Sequence, residues 1–336
     1  MTISWSRRTR LIGGCTAAVV ALPVAVALAA TSSSGATVTV AADGSGTYKT
    51  LQAALAAVAS GTTLTVKPGT YHGQVQLPAS KPGISIVGST GNPKDVVITG
   101  DIPQSAGGAT KSATVLNLAK GTTFRAVTIS NTYGSGSQAL ALYMGGDRQV
   151  YDTVRLLGHQ DTLLSWSGGG SRIRQYVYNS SIEGDVDFIY GDGTLVIDRS
   201  TITSLNRNSS NNGFVTAAAT PKANSYGILI TRSTLTSSAA AGTVALGRCW
   251  HPGDATSASG QVVVRDSSLG AHLRQAGAWQ DMSGYSWKTC RFAEYANSGA
   301  GRSQGTADRP QLSSSAAANY TPQKYLAGSD GWNPVR

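Results

Sequence analysis

The stretch Glu183-Gly184-Asp185-Val186-Asp187-Phe188-Ile189-Tyr190-Gly191 sets three acids at alternate positions, and on a regular strand alternate side chains share a face. Like charges that close resist simultaneous ionisation, so a cation, an arginine or a raised pKa on one member must compensate. A calcium site, or acids exposed at a turn, would satisfy the same pattern. Asp187, followed by an apolar and aromatic run, is the acid best placed for a built pocket. A second acid, Asp161, stands 26 residues earlier in Gly158-His159-Gln160-Asp161-Thr162-Leu163-Leu164. In Leu246-Gly247-Arg248-Cys249-Trp250-His251-Pro252, strand alternation puts Arg248 and Trp250 on one face and Cys249 on the other. A guanidinium beside Asp187 would keep that carboxylate ionised, and an indole would give a sugar ring a flat apolar platform. The four histidines, His72, His159, His251 and His272, form no Cys/His cluster with zinc spacing, which argues against metal catalysis through nitrogen ligands. Gly301-Arg302-Ser303-Gln304-Gly305 matches a serine-hydrolase signature. No apolar strand leads into it, however, and no histidine follows to complete the usual order.

These residues need elements to hold them. The chain has 336 residues, 40% hydrophobic and only 13% charged, with 40 Gly, a composition that excludes a coiled coil or charged bundle. Arg7, Arg8 and Arg10 precede an apolar run from Leu11 to Ala30, the pattern of a secretory signal peptide with the mature chain starting near Thr31. Sec and Tat export both fit. Cys15 resembles a lipoprotein box, but the apolar segment follows it instead of preceding it. Nothing later reaches 18 apolar residues, so no membrane anchor is expected. Without residues 1–30 the chain keeps 24 basic against 17 acidic residues, a net charge of +7. In an extracellular setting that favours an anionic polymer such as an acidic polysaccharide, although nucleic acid would also be attracted. Two cysteines remain, Cys249 and Cys290, an even number in an oxidising compartment and so a candidate disulfide.

Leu51, Leu55 and Val58 recur at helical spacing within residues 50–58, which predicts one short amphipathic helix. From Thr62 onward, brief runs rich in Val, Ile and Thr alternate with Gly, Asn, Ser and Pro, as strands do. A phrase of an apolar residue, any residue, Asp/Asn/Arg and Ser/Thr begins at Val150, Val177, Ile197, Ile230 and Val264, in steps of 27, 20, 33 and 34 residues. Rungs of that length predict a parallel β-solenoid with loops of unequal size. The competing β-sandwich would carry more Asn-Gly or Asp-Gly hairpin turns. The 50–58 helix would cap one end, and residues 302–332 would lie along the outside or near the other. No composition break divides residues 31–336, so a single catalytic domain is expected. One coil then separates Asp161 from Asp187 and makes them neighbours.

With these motifs in order, the chain resembles the pectin methylesterases (pectinesterases), a family of all-β, single-stranded right-handed parallel β-helices. The likeness runs from about Ala41 to Asn333 through Gly69-Thr70-Tyr71, the Gln-Ala-Leu-Ala-Leu run from Gln138, Gln160-Asp161-Thr162-Leu163, Gly184–Gly191 and Leu246–Trp250. It implies Asp187 as nucleophile, Asp161 as general acid and then base, Gln138 and Gln160 as oxyanion donors, and Arg248 as the partner that ionises Asp187. Trp250, Tyr190, Val186 and Met282 are implied to line the cleft, and Arg207 to contact a substrate carboxylate. The implied reaction removes methyl groups from esterified galacturonate of pectin, without metal or cofactor and without nucleic acid or membrane as partner, in a secreted monomer. Gly73, Asp185, Tyr190 and Cys249 depart from the family pattern, which usually has Glu, Thr, Phe and Pro there. Asp185 adds a charge near the nucleophile. Gln160 and Asp161 are sequential and would face opposite ways on a regular strand, so the strand is expected to bend or end there. A β-helical glycosidase or lyase could also use two carboxylates, but paired amides aimed at a carbonyl favour acyl transfer. A non-catalytic polysaccharide-binding solenoid is the remaining alternative.

Overall fold

Short runs of β-branched residues that cannot bury both faces alone do so here by stacking coil upon coil. The computed structural model describes residues 35–336; the expected export signal lies outside the described residues. The strands form three sheets, one of ten strands from Thr37–Val40 to Arg291–Tyr295 and two of eight. One eight-stranded sheet runs from Val75–Leu77 to Trp279–Gln280 and the other from Gly69–His72 to Ser268–Leu269. Adjacent coils pair in parallel, as in Leu163↔Ile189 and Gly213↔Val244. The molecule is a parallel β-helix whose interior is a continuous column of Val, Ile, Leu and Phe.

The recurring phrase marks one corner of each coil. Asn179, Arg199, Arg232 and Asp266 take left-handed backbone angles, with φ between 48° and 50°. Left-handed φ is unfavourable for residues other than glycine, so something must hold these corners. The following serines do it. Ser180, Ser200, Ser233 and Ser267 each accept, on the hydroxyl, the backbone N–H of the coil before, at 3.0–3.1 Å. The steps from Val177 to Ile197, Ile230 and Val264 are true register steps. The first is off by one, because Val177 pairs with Tyr151 instead of Val150.

Thr50 caps the helix Leu51–Ala57, accepting from the Ala53 N–H at 3.1 Å. Leu51, Ala54 and Leu55 are buried against the first coils. At the other end of the sequence, the helix Pro322–Ala327 places Tyr325 and Leu326 on Tyr176, Val196, Leu229 and Val263, on the outer face of the ten-stranded sheet. The C-terminal segment therefore lies along the outside of the coil stack. Among the described residues no helix is long and apolar enough to cross a membrane.

Candidate active site

The site lies on the outer face of the sheet that contains Leu163–Ser165, Val186–Gly191, Gly213–Ala218 and Val244–Cys249. One ladder column, Tyr143–Leu164–Tyr190–Ala217–Arg248, runs across its strands. Tyr143, Leu164, Tyr190 and Ala217 line a cavity of about 340 Å³, together with Gln104, Gln138, Asp161, Trp166, Asp187, Trp250 and Met282.

Regular alternation would not bring the two aspartates onto this face. Phe188 and Ile189 enter the core, and Ile189 has the same parity as Asp187. A register shift between Val186 and Ile189, with φ of 49° at Asp187, turns that carboxylate out beside Tyr190. The preceding coil repeats the device. Asp161 has φ of 67° and lines the cavity, whereas Leu163, of the same parity, is in the core. The bend expected at Gln160-Asp161 is this left-handed residue, and the regular strand starts only at Leu163. A left-handed non-glycine residue costs on the order of 1–3 kcal/mol, and both carboxylates carry that strain. Gly191 is required nearby, since a Cβ there would lie 1.8 Å from the Ser165 carbonyl oxygen.

The same bend breaks up the triplet of acids. Glu183 belongs to the strand Ser181–Gly184 of another sheet, and Asp185 sits at the corner. The three carboxylates do not share a face. Asp185 is buried, and its Oδ2 meets the His159 Nδ1 at 3.0 Å and accepts from the Ser135 hydroxyl at 3.3 Å. Its partners are thus this His–Ser pair, and Asp187 has a separate one, Arg248.

Arg248 donates through Nε to one Asp187 oxygen at 2.8 Å and through Nη2 to the other. Its guanidinium lies 4.2 Å from the centre of the Phe214 ring, which fixes its plane. Arg248 acts on Asp187 in the expected direction, lowering its pKa, but it is not the largest influence there. Burial raises that pKa above the ordinary carboxylate value, and the two-point pairing with Arg248 opposes that rise. Asp161 is pushed up to about 7, first by burial and then by the negative charge of Asp187, against weaker opposing effects of Tyr190, Arg248 and Gln138. Two stacked carboxylates thus differ in environment: only Asp187 is bound at both oxygens by a guanidinium.

Gln138 lines the cavity, and its backbone pairs in parallel with that of Gln160, one coil on. Trp250 packs on Trp166 and Tyr190, with ring centres 5.5 and 5.6 Å apart, to form an aromatic wall. Met282, just after the strand Trp279–Gln280, also lines the cavity. Gln160 and Val186 adjoin the site without being among the residues that line this cavity. Arg207 is elsewhere, in a separate hollow with Ser135, His159, Asp185 and Asn206. Cys249, with no exposed surface, points away from the cleft and is bridged to Cys290. Sequence reasoning missed Gln104, Tyr143 and Trp166. Trp166 carried a signal, an aromatic residue five positions after Asp161 and directly after the strand Leu163–Ser165 that crosses the site.

A parallel β-helix bearing a guanidinium-held carboxylate, a second carboxyl with its pKa near neutrality and an adjacent amide is the frame of a carboxylic ester hydrolase. The sequence profile of the Pectinesterase family matches residues 37–329, and the chain belongs to that family. It is 36% identical to a pectinesterase of Ralstonia solanacearum, over 78% of this chain and 79% of that protein. Its fold superposes on pectin methylesterase from Erwinia chrysanthemi with a TM-score of 0.75 and 28% identity, covering 89% of this chain and 98% of the other. A pectin methylesterase in complex with a hexasaccharide gives a TM-score of 0.76 at 28% identity, covering 89% and 98% of the two chains.

Proposed function

We propose that this protein hydrolyses the methyl esters of galacturonate in pectin by way of an acyl-enzyme on Asp187. The observation that carries the mechanism is the Asp187–Arg248 pair set one coil from an Asp161 pushed up to about 7. The two-point guanidinium favours the ionised form of Asp187, ready to attack the ester carbonyl. Gln138 and Gln160 serve as amide donors to the oxyanion of the tetrahedral intermediate, a role worth about 10² to 10³ in kcat for each donor. Protonated Asp161 gives its proton to the departing methoxide. The resulting carboxylate then takes a proton from the water that cleaves the anhydride, which frees Asp187 and leaves a galacturonate carboxylate. Trp250, with Tyr190 and Met282, forms the sugar-facing wall of the cavity, Val186 adjoins it, and Arg207 lies in a separate hollow. All these groups come from one chain, which acts as a monomer, and the reaction uses no metal or cofactor.

The dyad fixes the sign of the pH dependence. Asp187 must be ionised and Asp161 protonated, so kcat/KM for methanol release should be bell-shaped. Its alkaline side should fall as pH rises through about 7, with the two limbs belonging to the coupled pair. Assay of methanol release from methylated pectin across pH 4–9 checks this. Activity still rising at pH 9 would contradict the Asp161 role, and new reducing or unsaturated ends without methanol would point to a glycosidase or lyase.

The leader-like residues 1–30 support export to the extracellular space, where the basic charge suits an anionic polymer such as pectin. Mass spectrometry of protein collected outside the cells should give an N-terminus near Thr31. Protein retained in the cell with Met1 intact would reject this.

A further inference from the structure

Tyr190 occupies the cavity with its hydroxyl buried and without a hydrogen-bond partner of ordinary geometry. A buried hydroxyl left unpaired costs about 1–3 kcal/mol, so its retention in a cavity asks for a use. The ring is fixed from two sides. Tyr190 is held in the ladder between Leu164 and Ala217, and it packs against Trp250. A phenylalanine would make the same apolar contacts, so only the oxygen needs an explanation. That oxygen shares the cavity with Asp161, near enough for a side-chain hydrogen bond to it although not in ordinary hydrogen-bond geometry, and it interacts with Asp161 more strongly than with Tyr143 or Asp187.

We propose that Tyr190 is a positioning residue for Asp161, its hydroxyl waiting to donate a hydrogen bond to the Asp161 carboxylate formed when methanol leaves. The inference rests on the acid/base role of Asp161 given above. In the resting enzyme Asp161 carries its proton and the hydroxyl has no carboxylate to serve. When that proton passes to methoxide, a bare carboxylate remains beside the newly acylated Asp187, with Gln138 and Arg248 as its other partners. The Tyr190 O–H then turns its hydrogen to the carboxylate and holds it until water returns a proton. No bond to Tyr190 forms or breaks, and the phenol keeps its own hydrogen throughout. Burial and the neighbouring acids hold the Tyr190 phenol well above its usual value, so it remains a donor at working pH.

The groups facing Asp161 are Asp187 and Tyr190 on the next strand, Arg248 two strands beyond and Gln138 on the preceding coil. Of these, Tyr190→Phe alters one donor and leaves the charges in place. A hydrogen bond from a neutral donor to a buried carboxylate is worth about 1.5 kcal/mol, equivalent to about one pH unit. The expected result is that Tyr190→Phe moves the alkaline limb of kcat/KM upward by about one pH unit with KM nearly unchanged. Asp161→Asn should abolish that limb in both backgrounds. A wild type whose limb survives Asp161→Asn would overturn the Asp161 role itself. A limb that Asp161→Asn removes but Tyr190→Phe leaves in place would overturn only the Tyr190 proposal. A rise in KM with an unmoved limb would also overturn it, assigning the hydroxyl to sugar binding. A near-native melting temperature for Tyr190→Phe excludes a structural cause for any shift.

Discussion

Replacing Asp187 with alanine should reduce methanol release from methylated pectin at least about 10⁴-fold, because removal of a nucleophile leaves only binding and oxyanion stabilisation. The variant should still fold. Asp187 sits in a left-handed conformation that alanine tolerates poorly, but the substitution also removes a buried carboxylate whose desolvation opposes folding. Arg248 would then be left without its partner, partly exposed and able to recruit water or an anion. Asp187→Asn is the sharper variant. It keeps shape and volume yet offers a poor nucleophile and only one acceptor to the guanidinium, so it too should lose activity by several orders of magnitude. Binding of oligogalacturonides should persist in both. Substantial methanol release by Asp187→Asn would show that the carboxylate is not the attacking group.

The second large effect lies away from the cleft. Arg309 and Glu294 form an ion pair with neither side chain exposed, Nε to Oε1 at 2.7 Å and Nη2 to Oε2 at 2.6 Å. Arg309 also donates to the carbonyl oxygens of Gly301, at 2.7 Å, and Arg274, at 3.2 Å. The pair ties the C-terminal segment to the last strand of the ten-stranded sheet, where the Glu294 N–H also donates to the Pro310 carbonyl oxygen. Breaking such a pair strands a buried charge and costs about 3–5 kcal/mol, whereas replacing both partners with apolar residues is often nearly neutral. Arg309→Met should therefore destabilise the protein by about 3–5 kcal/mol in urea titration. Adding Glu294→Leu should restore much of that loss, apart from the two freed carbonyls. A single variant within about 1 kcal/mol of wild type would show that the pair contributes no more than a surface salt bridge.

The coil architecture was legible because its cause is local and repeated. Each rung needs a residue that tolerates the left-handed corner and a serine that caps the preceding coil, and Val177, Ile197, Ile230 and Val264 mark those rungs in true register. The site was legible as a set of motifs whose order matched a known family, but the motifs did not disclose how the groups come to share a face. Alternation predicts Asp187 beside Asp185; the structure separates them by a corner and sends Asp185 to His159. A register shift and a positive φ leave no periodic trace in one sequence. The sequence also could not reveal that burial outweighs arginine at Asp187, since desolvation depends on what covers the group. The burial of the Arg309–Glu294 pair leaves no trace in the sequence for the same reason. Trp166, by contrast, could have been found from its place directly after the strand that follows Asp161.

The proposed mechanism requires a covalent bond between substrate and one carboxylate. Rapid acid quench of enzyme mixed with excess methylated oligogalacturonide, followed by peptide mass spectrometry, tests it without mutation. A transient mass increase of one galacturonyl chain, confined to the peptide that contains Asp187 and formed in step with the first methanol, is the predicted result. Methanol formed at full rate, with that peptide unmodified at every quench time or the adduct on a different residue, would contradict the account.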